Sequence, residues 1–396
     1  MSFISQTLAV TAMNLRNIPR RLGNSLVIVI GIAGAVAVFI PILAMSISFR
    51  ATIKGDGSDV RAIVLTHRAT AESESSLSRA EVAAIMDYPQ VRRDSRDRPL
   101  VSGEVVLVAP VSRKRDHTDV NVTLRGVGDQ YFAMRPELKL RSGRMFESGK
   151  QEVVVGAGAV SQFDGLKVGE NLRLQDGDWR VVGTFAGGNG ARESEVVADA
   201  LTVMSAYKVD SFHSLTVVLR APRELAAFND TVERSSKSIL LARGEPEYLE
   251  TASESINRML RLVAYSIGSI MALGALFSAL NSMYSAVAAR NVEMATLRAL
   301  GFSSLAVAGG VLIEALLLAL IGAAIGVAFA YALFNGATIS TLGGAVWDSQ
   351  LVYSLSMTPA LATGAVLLAC ALGLAGGLLP AIRAARANLA EALHET

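Results

Sequence analysis

The chain has 396 residues and a formal net charge of +2 at pH 7. Hydrophobic residues make up 51% of it, which is high for a soluble protein. The near-neutral charge does not favour a nucleic-acid partner. The one cysteine, Cys370, excludes a disulfide framework within the chain. The four histidines lack the spacing of metal ligands, so we expect no metal site.

The chain begins with a basic segment and a long apolar run. Residues 1–23 contain Arg16, Arg20 and Arg21 but no acid, and we interpret them as an amphipathic, cytoplasmic N-terminal segment. Residues 24–49 exceed the roughly 20 apolar residues that cross a bilayer core. They are also far longer than a signal-peptide core of roughly 7–15 residues. We therefore expect a retained membrane-crossing helix, the first span.

Residues 50–257 form a polar stretch whose pattern is typical of an α+β domain. Apolar residues alternate in short runs bounded by turn residues, which predicts strands. Asp176-Gly177 fits a two-residue hairpin turn. Ser78, with Glu81 three residues later, fits the start of a helix. The predicted strands are 61–67, 103–111, 120–127, 151–156, 171–185 and 214–220, and the predicted helices are 76–88 and 222–240.

Residues 258–289 predict the second span. The stretch from Ser253 to Arg290 contains no proline, so it fits one continuous helix that is longer than a membrane requires. We expect the surplus to rise outside the membrane as a stalk. The α+β domain would then be extracytoplasmic and inserted between the first and second spans.

Residues 290–303, "RNVEMATLRALGFS", form a charged stretch between two apolar runs. We interpret them as a short amphipathic helix, in which Arg290 and Glu293 pair on the surface and Gly301 ends the helix. A simple basic connector that fixes the topology fits the spacing as well. The residues that helical spacing puts on one face are Val292, Ala295, Thr296, Ala299 and Leu300.

Residues 304–334 predict the third span and contain one acid, Glu314. An ionised side chain at the bilayer centre costs about 3 kcal/mol on insertion scales, so we expect Glu314 to be protonated, partnered or close to an interface. It fits either a buried hydrogen bond to a neighbouring helix or a contact to a substrate or conformational switch. Gly322 and Gly326 have the four-residue spacing that lets two helices approach closely.

Residues 335–358 form a short loop without Lys or Arg, 359–382 predict the fourth span, and 383–396 form a tail with two arginines. Short basic flanks tend to stay in the cytoplasm. We therefore expect both termini and residues 290–303 to be cytoplasmic, and the loop and the α+β domain to lie outside.

The charged stretch and the helix after it resemble a known family. "ARNVEMATLRALGFS", followed by an apolar helix with a Glu and a Gly-xxx-Gly pair, resembles the signature of FtsX-like permeases. This family includes MacB-type and lipoprotein-releasing ABC transporter permeases. The chain departs from the pattern at Met294-Ala295, where the family has Ile-Gly, and at Leu389, where the tail "PAIRAARANLAEAL" lacks a second Pro. "LRGVGDQYFAMRPELKLRSGRMFESGKQEVVVG" is similar to the MacB periplasmic core domain.

The resemblance implies a membrane protein of the bacterial inner membrane, with four transmembrane α-helices and a large α+β extracytoplasmic domain. Such a chain works as a dimer with a second copy or a homologous permease, and with cytoplasmic ABC ATPase subunits that bind ATP and magnesium. Whether a periplasmic adaptor and an outer-membrane channel join the assembly stays open. The residues that the resemblance assigns to ATPase coupling are Arg290, Glu293, Leu297, Arg298 and Gly301.

We expect the ATPase in a separate subunit, and neither a cofactor nor an enzymatic activity in this chain. Residues 143–151 have five residues between their glycines and end in Gln151, whereas a Walker A loop has four and ends in Ser or Thr. An FtsX-like mechanical regulator of a cell-wall hydrolase or signalling partner is the alternative function. A membrane-anchored enzyme is a third, although the sequence contains no recognisable catalytic constellation. The substrate stays open.

Overall fold

The computed structural model describes residues 3–17, 22–55, 57–175, 177–187, 190–236, 239–340 and 352–386. The chain divides into two compact units. The helical unit comprises Met1–Ser46, Met259–Ala337 and Leu355–Thr396. The sheet unit comprises Ile47–Arg258 and Thr338–Ser354.

The elements within the described residues are numbered in chain order. The helices are α1 (Phe3–Asn17), α2 (Leu22–Gly55), α3 (Arg79–Met86), α4 (Tyr131–Met134), α5 (Ala157–Gln162), α6 (Ala200–Tyr207), α7 (Leu225–Ser235), α8 (Glu245–Ala288), α9 (Asn291–Ala299), α10 (Ser304–Phe334) and α11 (Pro359–Arg386). The strands are β1 (Arg61–Thr66), β2 (Val101–Ser112), β3 (Asp119–Val127), β4 (Lys139–Gly143), β5 (Glu152–Gly156), β6 (Asn171–Leu174), β7 (Gly177–Ala186), β8 (Val196–Asp199), β9 (Ser214–Val218), β10 (Leu240–Gly244), β11 (Thr338–Ser340) and β12 (Val352–Ser354). Short 3₁₀ turns lie at Glu72–Glu74, Ala191–Ser194 and Pro222–Glu224.

Four helices are long and apolar enough to cross a membrane. Their apolar parts are Ser25–Ile53, Ile256–Ala288, Ser304–Phe334 and Pro359–Arg386, and each overlaps one of the four expected spans. The second of these helices, α8, is continuous over 44 residues, which is about 66 Å at 1.5 Å per residue. It begins at Glu245, eight residues before the predicted Ser253, because it follows β10 directly.

Gly322 and Gly326 let α10 lie close against α2 in the helical unit. A Cβ atom on Gly322 would be 2.9 Å from the backbone oxygen of Val29. A Cβ atom on Gly326 would be 2.7 Å from the backbone oxygen of Ala33. These separations are shorter than any ordinary carbon contact, so the two helices pack at this distance only because both positions are glycine.

We predict that Gly326→Val lowers the stability of the helical unit by about 1–3 kcal/mol, the range for overpacking a close contact. The measurement is the thermal exposure of Cys370, which is half-buried in α11, to a thiol-reactive dye. Gly274→Val is the matched control, because a Cβ atom at Gly274 meets nothing within 4 Å. Equal shifts in both variants would contradict the close-packing role.

The sheet unit is built on one ten-stranded sheet, which confirms an α+β architecture. The strand order is β10-β1-β9-β2-β3-β8-β5-β7-β4, and β6 also pairs with β7. Most neighbouring strands are antiparallel, but the pair β3 and β8 and the pair β5 and β7 are parallel. The core includes Trp179, Phe163 and Phe228, which are fully buried with the aliphatic residues of the sheet and helices.

The predicted strands of the sheet unit are confirmed, and so is the start of α3. The Ser78 hydroxyl accepts a hydrogen bond from the Glu81 backbone, and the Glu81 carboxylate accepts one from the Ser78 backbone. The predicted helix 222–240 is too long. It ends at Ser235, and β10 begins at Leu240. The serines after α7 compete for backbone hydrogen bonds and so favour an end to the helix.

The hairpin between β6 and β7 differs from its prediction by one residue. Leu174 pairs with Gly177, so Gln175 and Asp176 connect the strands. Gln175 adopts a φ of 51°, and Asp176 lies outside the described residues. The prediction that Asp176 and Gly177 form the two-residue turn was therefore wrong, because Gly177 already pairs with Leu174 in the ladder between β6 and β7.

The expected loop at 335–358 contains the hairpin of β11 and β12, and this hairpin belongs to the sheet unit. The Val352 backbone N–H donates to the Ser194 hydroxyl at 2.7 Å, and that hydroxyl donates to the Val352 oxygen at 3.2 Å. Tyr353 is buried, and its ring lies edge-on to Phe49 at 5.7 Å. The interpretation as a loop missed these strands because each has only three residues.

A buried ionic cluster surrounds Arg125 in the sheet unit. Its Nη1 lies 2.5 Å from a carboxylate oxygen of Glu72 and 2.7 Å from one of Glu104. Its Nε and Nη2 donate to the two oxygens of Glu195, at 2.9 and 3.0 Å. Removing one member of such a cluster leaves uncompensated charge away from water, so the cluster constrains β2, β3 and the segment before β8 together.

A second buried cluster holds the first residue of α8. Glu245 is completely buried and pairs with Arg61 and with Arg135, whose Nη2 is 2.7 Å from the carboxylate. The backbone N–H of Ser58 donates to the same carboxylate at 3.2 Å. The guanidinium of Arg135 lies 4.7 Å from the ring centre of Tyr131. The long helix is therefore anchored at its start by two guanidinium groups.

Glu72 predicts an acid dependence of the sheet unit. Burial raises the pKa of its carboxyl, but the charges of Arg125 and Arg192 outweigh burial and lower the pKa from 4.5 to about 2. Because the pKa is lower in the folded chain, this stabilisation is complete above pH 4.5 and is lost as the pH falls through about 2.

We expect Glu72→Gln to destabilise the full chain by about 1–3 kcal/mol at pH 7. The difference from the parent chain should shrink as the pH falls below 4.5. Denaturant unfolding followed by the fluorescence of buried Trp179 measures both effects. Asp59→Asn, which removes an exposed carboxylate, is the control. A Glu72→Gln deficit that does not change with pH would contradict the ionic role.

Candidate coupling site

The short helix α9 lies between two membrane helices, α8 and α10. Arg290 occupies its N-cap position. The helix ends in two hydrogen bonds, from the Gly301 backbone N–H to the Arg298 oxygen at 3.0 Å and from the Phe302 N–H to the Leu297 oxygen at 3.1 Å. Gly301 adopts a φ of 94°, which other residues rarely take. This is a Schellman motif, and it confirms Gly301 as the stop of the helix.

The helix α9 has one buried side and one exposed side. Met294 and Ala295 are buried, and Met294 belongs to the core of the helical unit. Leu300 is 73% exposed and Val292 is 41% exposed, although both are large and apolar. Helical spacing puts Ala295 on the same face as Val292 and Leu300, but Ala295 is buried, so the exposed part of that face does not include it.

The remaining residues expected at this helix differ in accessibility. Glu293 is exposed, whereas Leu297 and Arg298 are half-buried. Thr296 and Ala299 are exposed, so they extend the apolar strip between Val292 and Leu300. The accessible surface of α9 is therefore an apolar strip beside one exposed carboxylate. We call Val292, Thr296, Ala299 and Leu300 the α9 strip.

The side chain of Arg290 is buried and binds Glu314. Its Nη1 and Nη2 donate to the two carboxylate oxygens of Glu314, at 3.1 and 2.6 Å. The two side chains are 4% and 3% exposed. The expected surface position of Arg290 beside Glu293 is therefore wrong. Glu314 is partnered, as expected, but by the residue that begins α9.

This ion pair joins the start of α9 to Glu314, the eleventh residue after the N-cap of α10. Two parallel hydrogen bonds to one carboxylate fix the orientation of the guanidinium as well as its distance. Because both charges are away from water, each would be strongly unfavourable without the other. The N-cap residue of α9 is therefore held against α10 by an interaction that does not tolerate a small displacement.

The helix α1 packs beside the same end of α10. The Gln6 side-chain oxygen accepts a hydrogen bond from the Ser303 backbone N–H at 3.1 Å. A Cβ atom on Gly310 would be 2.5 Å from Val10, so the glycine permits close contact between the two helices. Ser303 also caps α10 by accepting from the Ala306 N–H at 3.2 Å.

Gly322 and Gly326 lie farther along α10, at its contact with α2, and take no part in this site. The described residues contain no group of three or more His, Cys, Asp or Glu side chains that could hold a metal ion. The geometry around α9 is that of a surface helix held at its N-cap by a buried ion pair.

Comparison with known protein families accounts for most of the chain. Residues 24–235 match the model of the MacB-like periplasmic core domain, which is more than half of the sequence. Residues 265–389 match the FtsX-like permease C-terminal model and include α9 and the Arg290–Glu314 pair. The chain belongs to the MacB/FtsX-like ABC permease family. It is a multi-pass permease with a periplasmic-core domain.

The permease has curated relatives of two lengths. It is 27% identical over 299 residues to the macrolide export ATP-binding/permease protein MacB of Neisseria gonorrhoeae, covering 70% of this chain and 44% of that protein. It is 27% identical over 342 residues to MacB 1/2 of Paracoccus denitrificans, covering 81% of this chain and 48% of that protein. The chain therefore spans less than half the length of these MacB proteins.

The ABC transporter permease YknZ of Bacillus subtilis is similar in length. The two are 23% identical over 408 residues, which cover 98% of this chain and 96% of YknZ. Among solved structures, the periplasmic region of MacB from Actinobacillus actinomycetemcomitans aligns with 52% of this permease and 95% of that chain, at 16% identity and a TM-score of 0.38.

The buried ion pair predicts strong non-additivity in the permease. We expect Arg290→Gln and Glu314→Gln each to cost about 3–5 kcal/mol, because each leaves a buried charge without its partner. The double variant should lose clearly less than the sum of the single losses. Thermal exposure of Cys370 in detergent or nanodiscs measures all three variants. Additive losses would show that the two side chains do not interact in the membrane.

Proposed function

We propose that this chain is the permease subunit of an ABC transporter that transmits motion from a separate cytoplasmic ATPase to the sheet unit. The motion would serve the export or extraction of a substrate outside the cytoplasm. The observation that carries the proposal is α9, a short helix with an exposed apolar strip. Its N-cap residue, Arg290, is fixed to α10 by the buried ion pair with Glu314.

The charge distribution supports a topology in which α9 and both termini are cytoplasmic. Arg298 lies on α9, and Arg383 and Arg386 lie in the last turn of α11. The segment 334–358 contains neither Lys nor Arg. Basic residues near the ends of membrane helices favour the cytoplasmic side. In this topology the sheet unit, including the hairpin of β11 and β12, is extracytoplasmic.

The α9 strip has the chemistry of a docking surface for another protein. Leu300, 73% exposed at a turn between membrane helices, is unfavourable in water and favourable against an apolar groove. Glu293 beside it supplies a charge that selects the orientation of the partner. In the proposed assembly the partner ATPase binds ATP and magnesium, and α9 binds a groove on that ATPase.

Two connections would carry a displacement of α9 onward. The Arg290–Glu314 pair connects it to α10. The helix α8 runs without interruption from Glu245 to Ala288, two residues before Arg290, and Glu245 is anchored by Arg61 and Arg135. A continuous helix has a fixed rise of about 1.5 Å per residue, so a displacement of one end along the axis would be passed along its length. The second permease of the assembly, a copy or a homologue, would be moved in the same way.

The decisive test compares two apolar surfaces of similar exposure. The tagged full chain is purified in mild detergent from its native host, and an ABC ATPase is identified by mass spectrometry and quantified. We predict that Val292→Ser/Leu300→Ser lowers ATPase recovery at least about tenfold, because apolar anchors dominate such interfaces. Leu305→Ser is the control, since Leu305 is 71% exposed but lies on α10.

Charge reversal tests the same interface independently. Glu293→Arg should weaken ATPase recovery and reduce ATP hydrolysis by the complex, while the thermal exposure of Cys370 stays unchanged. Normal recovery and hydrolysis in both the Glu293 and the Leu300 variants would refute the coupling role of α9. A complex that contains the ATPase together with a cell-wall hydrolase, and that moves no substrate, would favour the regulatory alternative over transport.

A further inference from the structure

A cleft of about 380 Å³ lies at the edge of the ten-stranded sheet, within the sheet unit. One wall is formed by β4, the terminal strand, together with β7 behind it. The opposite wall is formed by α5 and by the loop at Lys167 and Val168. The proposed coupling role of α9 does not use this cleft.

A β-bulge turns Arg141 toward the cleft. In the ladder between β4 and β7, Leu140 pairs with Phe185 and Ser142 pairs with Thr184, so Arg141 is an extra residue without an opposite partner. In a regular strand, neighbouring side chains point to opposite faces. Here Arg141 and Ser142 both line the cleft. Bulges at sheet edges commonly redirect one side chain in this way.

The cleft contains two cations that have no ion-pair partner within the described part of the chain. Arg141 and Lys167 are both exposed, and neither belongs to any ion pair observed there. Arg144, three residues after Arg141, instead pairs with Glu147 and Glu152. The charged residues that line the cleft are therefore both cations, whereas Arg144, just beyond the end of β4, is neutralised.

The rest of the lining combines hydroxyl groups with an apolar surface. The hydroxyls of Ser142 and Thr184 are hydrogen-bonded to each other at 2.7 Å, and each keeps further capacity. Val160 and Val168 supply apolar surface, and Val168 is 42% exposed. Cations and hydroxyls beside an apolar wall are complementary to an anionic group that carries an apolar substituent.

We infer that this cleft binds a small organic anion, whose carboxylate or other acidic group pairs with Arg141 and Lys167 and whose apolar part lies on Val160 and Val168. A smaller hollow of about 170 Å³ shares Arg141 but also contains Glu193. The repulsion of that carboxylate places the acidic group of the ligand in the larger cleft. This site goes beyond the proposed transmission role and needs no ATPase.

The test uses the full chain in phosphatidylcholine nanodiscs and fluorine NMR. The probe is para-trifluoromethylbenzoate, and para-trifluoromethylbenzyl alcohol is its neutral counterpart. Empty nanodiscs give the partitioning of each probe into lipid. We expect saturable line broadening with the benzoate and only lipid partitioning with the alcohol. Equal broadening by both probes would overturn the assignment of an anion site.

Variants locate the binding. Arg141→Gln/Lys167→Gln should bind the benzoate at least about tenfold more weakly, because its charge-assisted hydrogen bonds are lost. Lys139→Gln is the matched control, because Lys139 lies on the same strand and is exposed but does not line the cleft. The affinity of this variant should change less than about twofold, since Lys139 does not line the cleft and makes no hydrogen bond to the ligand. Unchanged binding in the double variant would overturn the site.

Competition defines the ligand class. Denaturant unfolding followed by the fluorescence of Trp179 verifies that each variant is folded. An excess of inorganic phosphate should displace the benzoate only weakly, because phosphate lacks the apolar substituent. Displacement by phosphate at the same concentration as by unlabelled benzoate would overturn the role of the apolar wall. Binding assays without nucleotide and without ATPase keep this outcome independent of the coupling proposal.

Discussion

The Arg290–Glu314 ion pair is the constraint on which the arrangement of the helical unit depends. Both side chains are buried away from water inside that unit, so neither charge is tolerated there without the other. Their two hydrogen bonds fix where α8 ends, where α9 starts and how both sit on α10. The apolar surface of α9 is then left facing outward. Arg290, the first charged residue of the signature stretch, thus acts from inside the unit, while the exposed residues beside it form the proposed docking surface.

Buried charge has the same organising role in the sheet unit. Arg125 gathers three carboxylates from separate parts of the chain, and Glu245 gathers two guanidinium groups at the first residue of α8. Apolar packing tolerates small shifts, whereas a buried ionic contact is strongly weakened by them. Each unit therefore uses buried charge pairs to fix the positions of its own elements.

Sequence patterns predicted the parts of the fold that depend on local composition. Span lengths, the capping of α3 and the stop at Gly301 follow from residues that lie close together in the chain. Long-range pairs carry no such signal: Arg290 and Glu314 are 24 residues apart, and helical spacing favoured Glu293 as the partner. The bulge at Arg141 and the three-residue strands of the second hairpin were missed, since neither breaks nor creates a periodic pattern.

The hairpin of β11 and β12 makes the sheet unit discontinuous in sequence. Its strands come from the connection between α10 and α11, yet Val352 belongs to the core of the sheet unit. The backbone N–H and the backbone oxygen of Val352 are both hydrogen-bonded to the Ser194 hydroxyl. A fragment that stops at Arg258 would expose the apolar surface that Val352 covers, and the Ser194 hydroxyl would be hydrogen-bonded to water instead. A fragment that is meant to reproduce the sheet unit should therefore include residues 338–354 as well as residues 47–258.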